Sequence, residues 1–97
     1  MSRLTRAEVF ALIDGERAYQ DTRWGPQTTS SGGQHSPAEW LVYIQDYLTE
    51  AIHFASRIAD PESAKFVMSN LRKIAAMSVA AMEQNGAPRR LPWVTTT

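Results

Sequence analysis

The chain contains no cysteine. That excludes disulfide scaffolds, thiol nucleophiles and Cys-ligated zinc. It also lacks net charge, since ten Lys and Arg balance ten Asp and Glu. A general nucleic-acid coat or a polybasic membrane binder needs a basic excess, so neither is expected. No apolar run approaches the roughly 18 residues that mark a membrane span. The opening string MSRLTRAEVF has no apolar h-region and carries Glu8 early. No secretory signal is read there, and a cytoplasmic location is expected. There is no alternating strand pattern, no Gly-rich P-loop, no HExxH, no GxSxG and no Ser-His-Asp set.

What is present suits a small folded domain. The 97 residues are 43% apolar and 21% charged, close to the averages for globular proteins. A chain of this size buries only ~60–65% of its unfolded surface. Such chains often gain stability by self-association.

Capping residues and apolar spacing predict three helices. Thr5-Arg6-Ala7-Glu8 is a capping box. Val9, Phe10, Leu12 and Ile13 follow at helical spacing, and the pattern fades between Tyr19 and Trp24-Gly25-Pro26. Residues 25–36, GPQTTSSGGQHS, read as a loop, either a functional one or a solvated connector. Ser36, Pro37 and Glu39 open the second helix with another capping box. Its apolar stripe is Leu41, Ile44, Leu48, Ala51, Ala55 and Ile58, widened by Tyr43, Tyr47 and Phe54. It should stop at Asp60-Pro61. Asp60 should then cap the third helix, with Pro61 at its first position. Val67, Leu71, Ile74, Ser78 and Ala81 share one face of that helix. Its Ala75, Ala76, Ser78, Ala80 and Ala81 are small enough for a close neighbour, and Asn85-Gly86 ends it.

Two helices of about 22 and 25 residues would run ~33–37 Å. A hairpin with such wide stripes cannot cover itself. The expectation is therefore an all-α fold, a helical hairpin with an N-terminal helix, assembling into a four-helix-bundle-type oligomer, either a dimer or a tetramer. Residues 1–86 form the domain. Residues 87–97 are a tail or an arm that docks Trp93 on a neighbour.

Few residues could carry chemistry. Asp46 and Glu50 lie one turn apart on one helix face and could hold Mg²⁺, or simply be solvated acids. Glu50 and His53 have the Glu-x-x-His spacing of di-iron bundles, but the third helix offers Asn70, Lys73 and Met77 in place of further carboxylates. Lys73, on a helix antiparallel to the second, could neutralise Asp46 and Glu50. Arg17, Gln20, Arg23 and Trp24 precede the loop, where Arg can grip phosphate and Trp can stack a base. The alternative is a Trp closing the bundle end beside solvated arginines.

The succession Glu16-Arg17…Gln20…Arg23-Trp24-Gly25, then His35-Ser36-Pro37…Glu39-Trp40-Leu41 and Ile74-Ala75-Ala76-Met77, resembles small MazG-like proteins of phages and prophages. These belong to the all-α NTP pyrophosphatase superfamily, and the resemblance covers residues of about 16 to 86. In that family a Glu-Glu-x-x-Glu motif and a Glu-x-x-Asp motif on the next helix hold Mg²⁺ on a triphosphate. The first falls here on Asp46-Tyr47-Leu48-Thr49-Glu50, with Tyr47 replacing the middle acid. The second falls on Asn70-Leu71-Arg72-Lys73, where both acids are gone. The resemblance implies the family's helical domain over residues 1–86 and a nucleotide-sized cleft, without the family's hydrolysis.

Three functional readings follow. The first is non-catalytic binding of a nucleotide or nucleotide-derived signal, such as a host defence messenger sequestered by a phage protein. Its site would be Arg17, Gln20, Arg23, Trp24, Tyr43, Asp46, Tyr47, Glu50 and Lys73, with no cofactor. Arg17, Trp24, Tyr47 and Lys73 would converge on one cleft beside Asp46 and Glu50. The second is a Mg²⁺-dependent NTP pyrophosphatase using Asp46 and Glu50. The third is a helical protein-interaction module using Tyr43, Tyr47, Phe54 and the Trp93 arm.

Overall fold

Three helices follow one another: α1 (Arg6–Trp24), α2 (Pro37–Ala55) and α3 (Ser63–Asn85). The computed structural model describes residues 3–24, 34–57 and 60–91. Residues 25–33 of the loop expected at 25–36, Ile58 and the Trp93 arm lie outside these segments. No strand occurs among the described residues.

Both capping boxes form. The Thr5 amide donates to Glu8 Oε1 at 2.8 Å, and the Glu8 amide donates to Thr5 Oγ1 at 3.1 Å. At α2 the Ser36 amide reaches Glu39 Oε1 at 2.8 Å and the Glu39 amide reaches Ser36 Oγ at 3.2 Å. Each pair satisfies two amides that a helix start leaves without intrahelical partners. At the far end of α3, Gly86 takes φ of 78° and its amide donates to the Met82 carbonyl at 2.7 Å. A side chain would strain that left-handed conformation, so glycine ends the helix.

The α2–α3 connection departs from expectation. Helix α2 stops at Ala55, five residues before Asp60, and α3 starts at Ser63 with Glu62 as its N-cap. Local hydrogen bonds explain the shift. Ser56 Oγ donates to the His53 carbonyl at 2.7 Å and the Arg57 amide to the Phe54 carbonyl at 3.0 Å, tightening the last turn of α2. Asp60 does not cap α3. Its carboxylate accepts from the Glu62 amide at 2.9 Å and its carbonyl from the Ser63 amide at 3.0 Å, which folds residues 60–63 into a turn. Short polar side chains compete with helical bonding in this way. Ser63, buried at this corner, donates its hydroxyl to the Arg57 carbonyl at 2.8 Å.

Helix α3 is the shared wall, with α1 and α2 both packed against it. Its Ala76 and Ala80 have no exposed surface, so α2 approaches closely, as the run of small residues predicts. The core joins Trp40, Met77 and Ala80, with Trp24, Ile44, Tyr47 and Ala81 packed around them. The inward face of α2 is therefore Trp40, Ile44, Tyr47 and Ala51. Of the expected stripe, Leu41 and Leu48 are exposed instead. Trp40 and Tyr47 carry more apolar area than the leucines, so turning α2 toward them buries more surface.

The α1–α3 seam is polar. Arg17 and Gln20 are the buried residues of α1. Arg17 bonds Glu83 and Asp21, the Gln20 amide nitrogen donates to the Lys73 carbonyl at 3.1 Å, and Arg72 Nε donates to Glu16 at 2.8 Å. Val9, Phe10 and Leu12, read from sequence as the apolar face of this helix, remain exposed.

Candidate functional site

Two cavities adjoin where the end of α1 meets α2 and α3. The larger, of about 420 Å³, has aromatic walls from Trp24, Trp40, Tyr43 and Tyr47, with Met77 contributing from α3 and His35 and Asp46 as further polar lining. The smaller, of about 170 Å³, is lined by Glu16, Tyr19, Gln20 and Arg23 of α1, with Tyr47 and Lys73 across from them. Trp24 and Tyr47 line both. Pockets of the larger size, mostly apolar with a few polar groups, are where small molecules bind.

The end of α3 fixes the entrance to the larger cavity. Gln84 Oε1 accepts from the His35 amide at 2.9 Å and from Trp40 Nε1 at 3.0 Å, while Asn85 Nδ2 donates to the His35 carbonyl at 3.0 Å. The His35 ring then meets Tyr43 and Trp40 edge-on, with centroids 5.1 and 5.5 Å away. His35 Nδ1 lies 3.9 Å from Glu39 Oε1, and its Nε2 is buried with no hydrogen-bond partner.

Between the cavities, Lys73 Nζ sits 5.9 Å from the centre of the Tyr47 ring, within reach of a cation–π attraction. Burial pushes the Tyr47 phenol's pKa up, the nearby Glu50, Asp46 and Glu16 carboxylates add to the rise, and Arg23 opposes it. Tyr47 is thus a neutral hydrogen-bonding group at neutral pH. One turn away, buried Asn70 donates through Nδ2 to the Tyr47 carbonyl at 3.0 Å and to Glu50 Oε1 at 2.8 Å.

Most residues singled out from sequence come together. Gln20, Arg23, Trp24, Tyr47 and Lys73 surround the smaller cavity, and Trp24, Tyr43, Asp46 and Tyr47 the larger. The expected single cleft is two adjoining ones. Arg17 and Glu50 line neither. Arg17 is buried on the α3 side, where burial opposes its charge but hydrogen bonds to Glu83 and Asp21 outweigh that and raise its pKa. Glu50 is held by Asn70. Among the described residues no ion pair joins Lys73 to Asp46 or Glu50. In this antiparallel pairing Asn70 meets Glu50, and Lys73, a turn further on, meets Tyr47.

His35, Trp40 and Met77 also line the larger cavity, although in the sequence they stand out only as landmarks of the resemblance. The signal for His35 and Trp40 was their spacing around the Ser36 cap, which fixes the direction in which α2 starts. Glu16 and Tyr19 enter the smaller cavity because they lie one turn before Gln20 and Arg23.

These residues do not suit the Mg²⁺ that the resembled family holds. Hard divalent cations need several oxygen ligands. Here Glu50 is bonded to an amide, and an ammonium occupies the neighbouring turn. Among the described residues, no group of three or more His, Asp or Glu is placed to hold a metal ion. His53, at Glu-x-x-His spacing, is exposed and 2.9 Å from Arg57 Nη2. No helix among the described residues is long and apolar enough to cross a membrane.

Comparison of the chain with protein-family models, with curated proteins and with solved structures gave no match in any of the three.

Proposed function

We propose that this chain is a non-catalytic nucleotide-binding protein of MazG-like descent, taking a nucleotide or nucleotide-derived signal at the paired cavities. The observation that carries the reading is the arrangement around Trp24 and Tyr47. An aromatic-walled cavity adjoins a smaller one that holds two cations, Arg23 and Lys73. Flat bases stack on aromatic side chains, and cations attract phosphate. Asn70 and Lys73 stand where the resembled motif has acids. The contact of Asn70 with Glu50 supports that alignment and argues against hydrolysis. Sequestering a signalling nucleotide in a host cytoplasm is a use such a protein could serve.

Assembly into a dimer or tetramer belongs to the same reading. Phe10 and Leu12 on α1 and Leu41, Val42 and Ile52 on α2 are each at least half exposed, and such uncovered apolar side chains support that part of the reading. Those same faces favour a second reading, a helical module that binds another protein.

Calorimetry against a panel of linear and cyclic nucleotides, with pyrophosphate release measured in parallel, separates the readings. Binding without hydrolysis is expected, weakened roughly 10–100-fold in Trp24→Ala by the loss of one stacked base. Hydrolysis abolished by Glu50→Gln would establish the Mg²⁺ enzyme instead. Absence of any nucleotide binding below about millimolar would leave the protein-interaction module. Light scattering giving a 10.9 kDa particle would remove the oligomer.

A further inference from the structure

We propose that the larger cavity selects a guanine-type base edge through Asp46, while the smaller cavity carries the phosphate. This rests on the nucleotide reading above and adds which base and which orientation. The two cavities differ in charge. Among the described residues, the larger has Asp46 as its one charged lining residue. The smaller has Arg23 and Lys73 against Glu16, and the Glu16 carboxylate is already bonded to Arg72 at 2.8 Å. An anionic phosphate is therefore favoured beside Lys73 and repelled beside Asp46.

The carboxylate of Asp46 offers the larger cavity two acceptor oxygens side by side. His35 meets Tyr43 and Trp40 edge-on and forms part of the wall. The indole N–H of Trp40 is already taken by Gln84. A ligand ring that meets Asp46 between these aromatic walls must bring N–H donors to it.

Among common bases, guanine presents two adjacent donors, N1–H and the 2-amino group, spaced to meet both oxygens of one carboxylate. Adenine and cytosine set a ring acceptor beside their amino group, and a carboxylate repels it. Hypoxanthine and uracil offer a single N–H flanked by C–H or carbonyl. Sites built to pair with a donor discriminate strongly against analogues that lack it.

The test is calorimetry of the full chain with GMP, IMP, AMP, CMP, UMP and guanosine. GMP should bind about tenfold or more tighter than IMP, the size of one hydrogen bond to a charged acceptor. Asp46→Asn, a change at an exposed position, should shrink that gap to below about threefold. Lys73→Met should weaken GMP while leaving guanosine unchanged. Equal binding of GMP and IMP by the unaltered chain overturns the base assignment and leaves the nucleotide reading standing. Loss of guanosine and GMP binding alike in Lys73→Met overturns the phosphate placement. If no nucleotide binds, the nucleotide reading itself falls, and this inference with it.

Discussion

Asn70 holds Glu50: its amide nitrogen lies 2.8 Å from the Glu50 carboxylate and 3.0 Å from the Tyr47 carbonyl, clamping α3 to the middle of α2. An amide here neutralises nothing, but it satisfies a carboxylate and a helix carbonyl together. Asn70→Asp replaces the donor with a second acid. Repulsion should raise the pKa of the pair, so the destabilisation is small in acid and grows as pH rises through the carboxylate range. At neutral pH it should cost about 1–3 kcal/mol, read by urea unfolding. Millimolar Mg²⁺ should recover part of the loss if the motif descends from a metal site.

The α2 capping box should make stability depend on acid. Hydrogen bonds from the Ser36 backbone and then its side chain hold the Glu39 pKa below 4.5, and Glu8 is lowered likewise by Thr5. A lowered folded-state pKa means that the stabilisation is fully present above the unfolded value and is lost as pH falls through the folded one. Thermal melts from pH 7 down to about 3 should show Tm falling across that window, with a smaller fall in Glu39→Gln.

Arg17 ties α1 to α3 through Glu83 at 2.5 Å and pairs with Asp21 of its own helix at 2.6 Å. Glu83 is half exposed, so water screens the pair and Glu83→Gln should cost about 1 kcal/mol or less. Arg17→Met removes the pairs to Asp21 and Glu83 together, both half exposed. It should cost somewhat more, about 1–2 kcal/mol. Hydrogen exchange should show α1 opening before α2 and α3 in both variants.

Trp40 is the largest fully buried side chain, and it also donates to Gln84. Trp40→Ala should destabilise by about 3–5 kcal/mol. Trp40→Phe keeps most of the volume, and Gln84 keeps its bond from the His35 amide. It should lose about 1–2 kcal/mol, measured by chemical unfolding.

The starts of α1 and α2 and the end of α3 are legible in the sequence because caps are local: Thr5, Ser36 and Gly86 act on neighbours within a turn. The start of α3 is not, because Asp60 bonds within a turn instead of capping. The end of α2 was not, because Pro61 marks only the latest point at which the helix could stop. The decision lies in how Ser56 and Asp60 share backbone groups. The face that α2 buries was missed for a different reason. Leu41 and Trp40 are adjacent, and only the arrival of Met77 and Ala80 from α3 decides which turns inward. The site was partly legible. Spacing brought Gln20, Arg23 and Trp24 to one end of α1. Asn70 reaching Glu50, and Arg17 turning to Glu83, depend on the register between helices, which local pattern does not encode.

Because α1 and α2 both lean on α3, the two halves of the fold close loops of different length. The links that fasten α1 join Glu16 to Arg72 and Arg17 to Glu83, across 56 and 66 residues. The clamp between α2 and α3 spans only 20 to 23. Closing a shorter loop costs less entropy, which favours the hairpin of α2 and α3 as the surface on which α1 settles. The aromatic pocket needs Trp24 from the last turn of α1, so any opening that releases α1 takes the pocket apart while that hairpin stays closed.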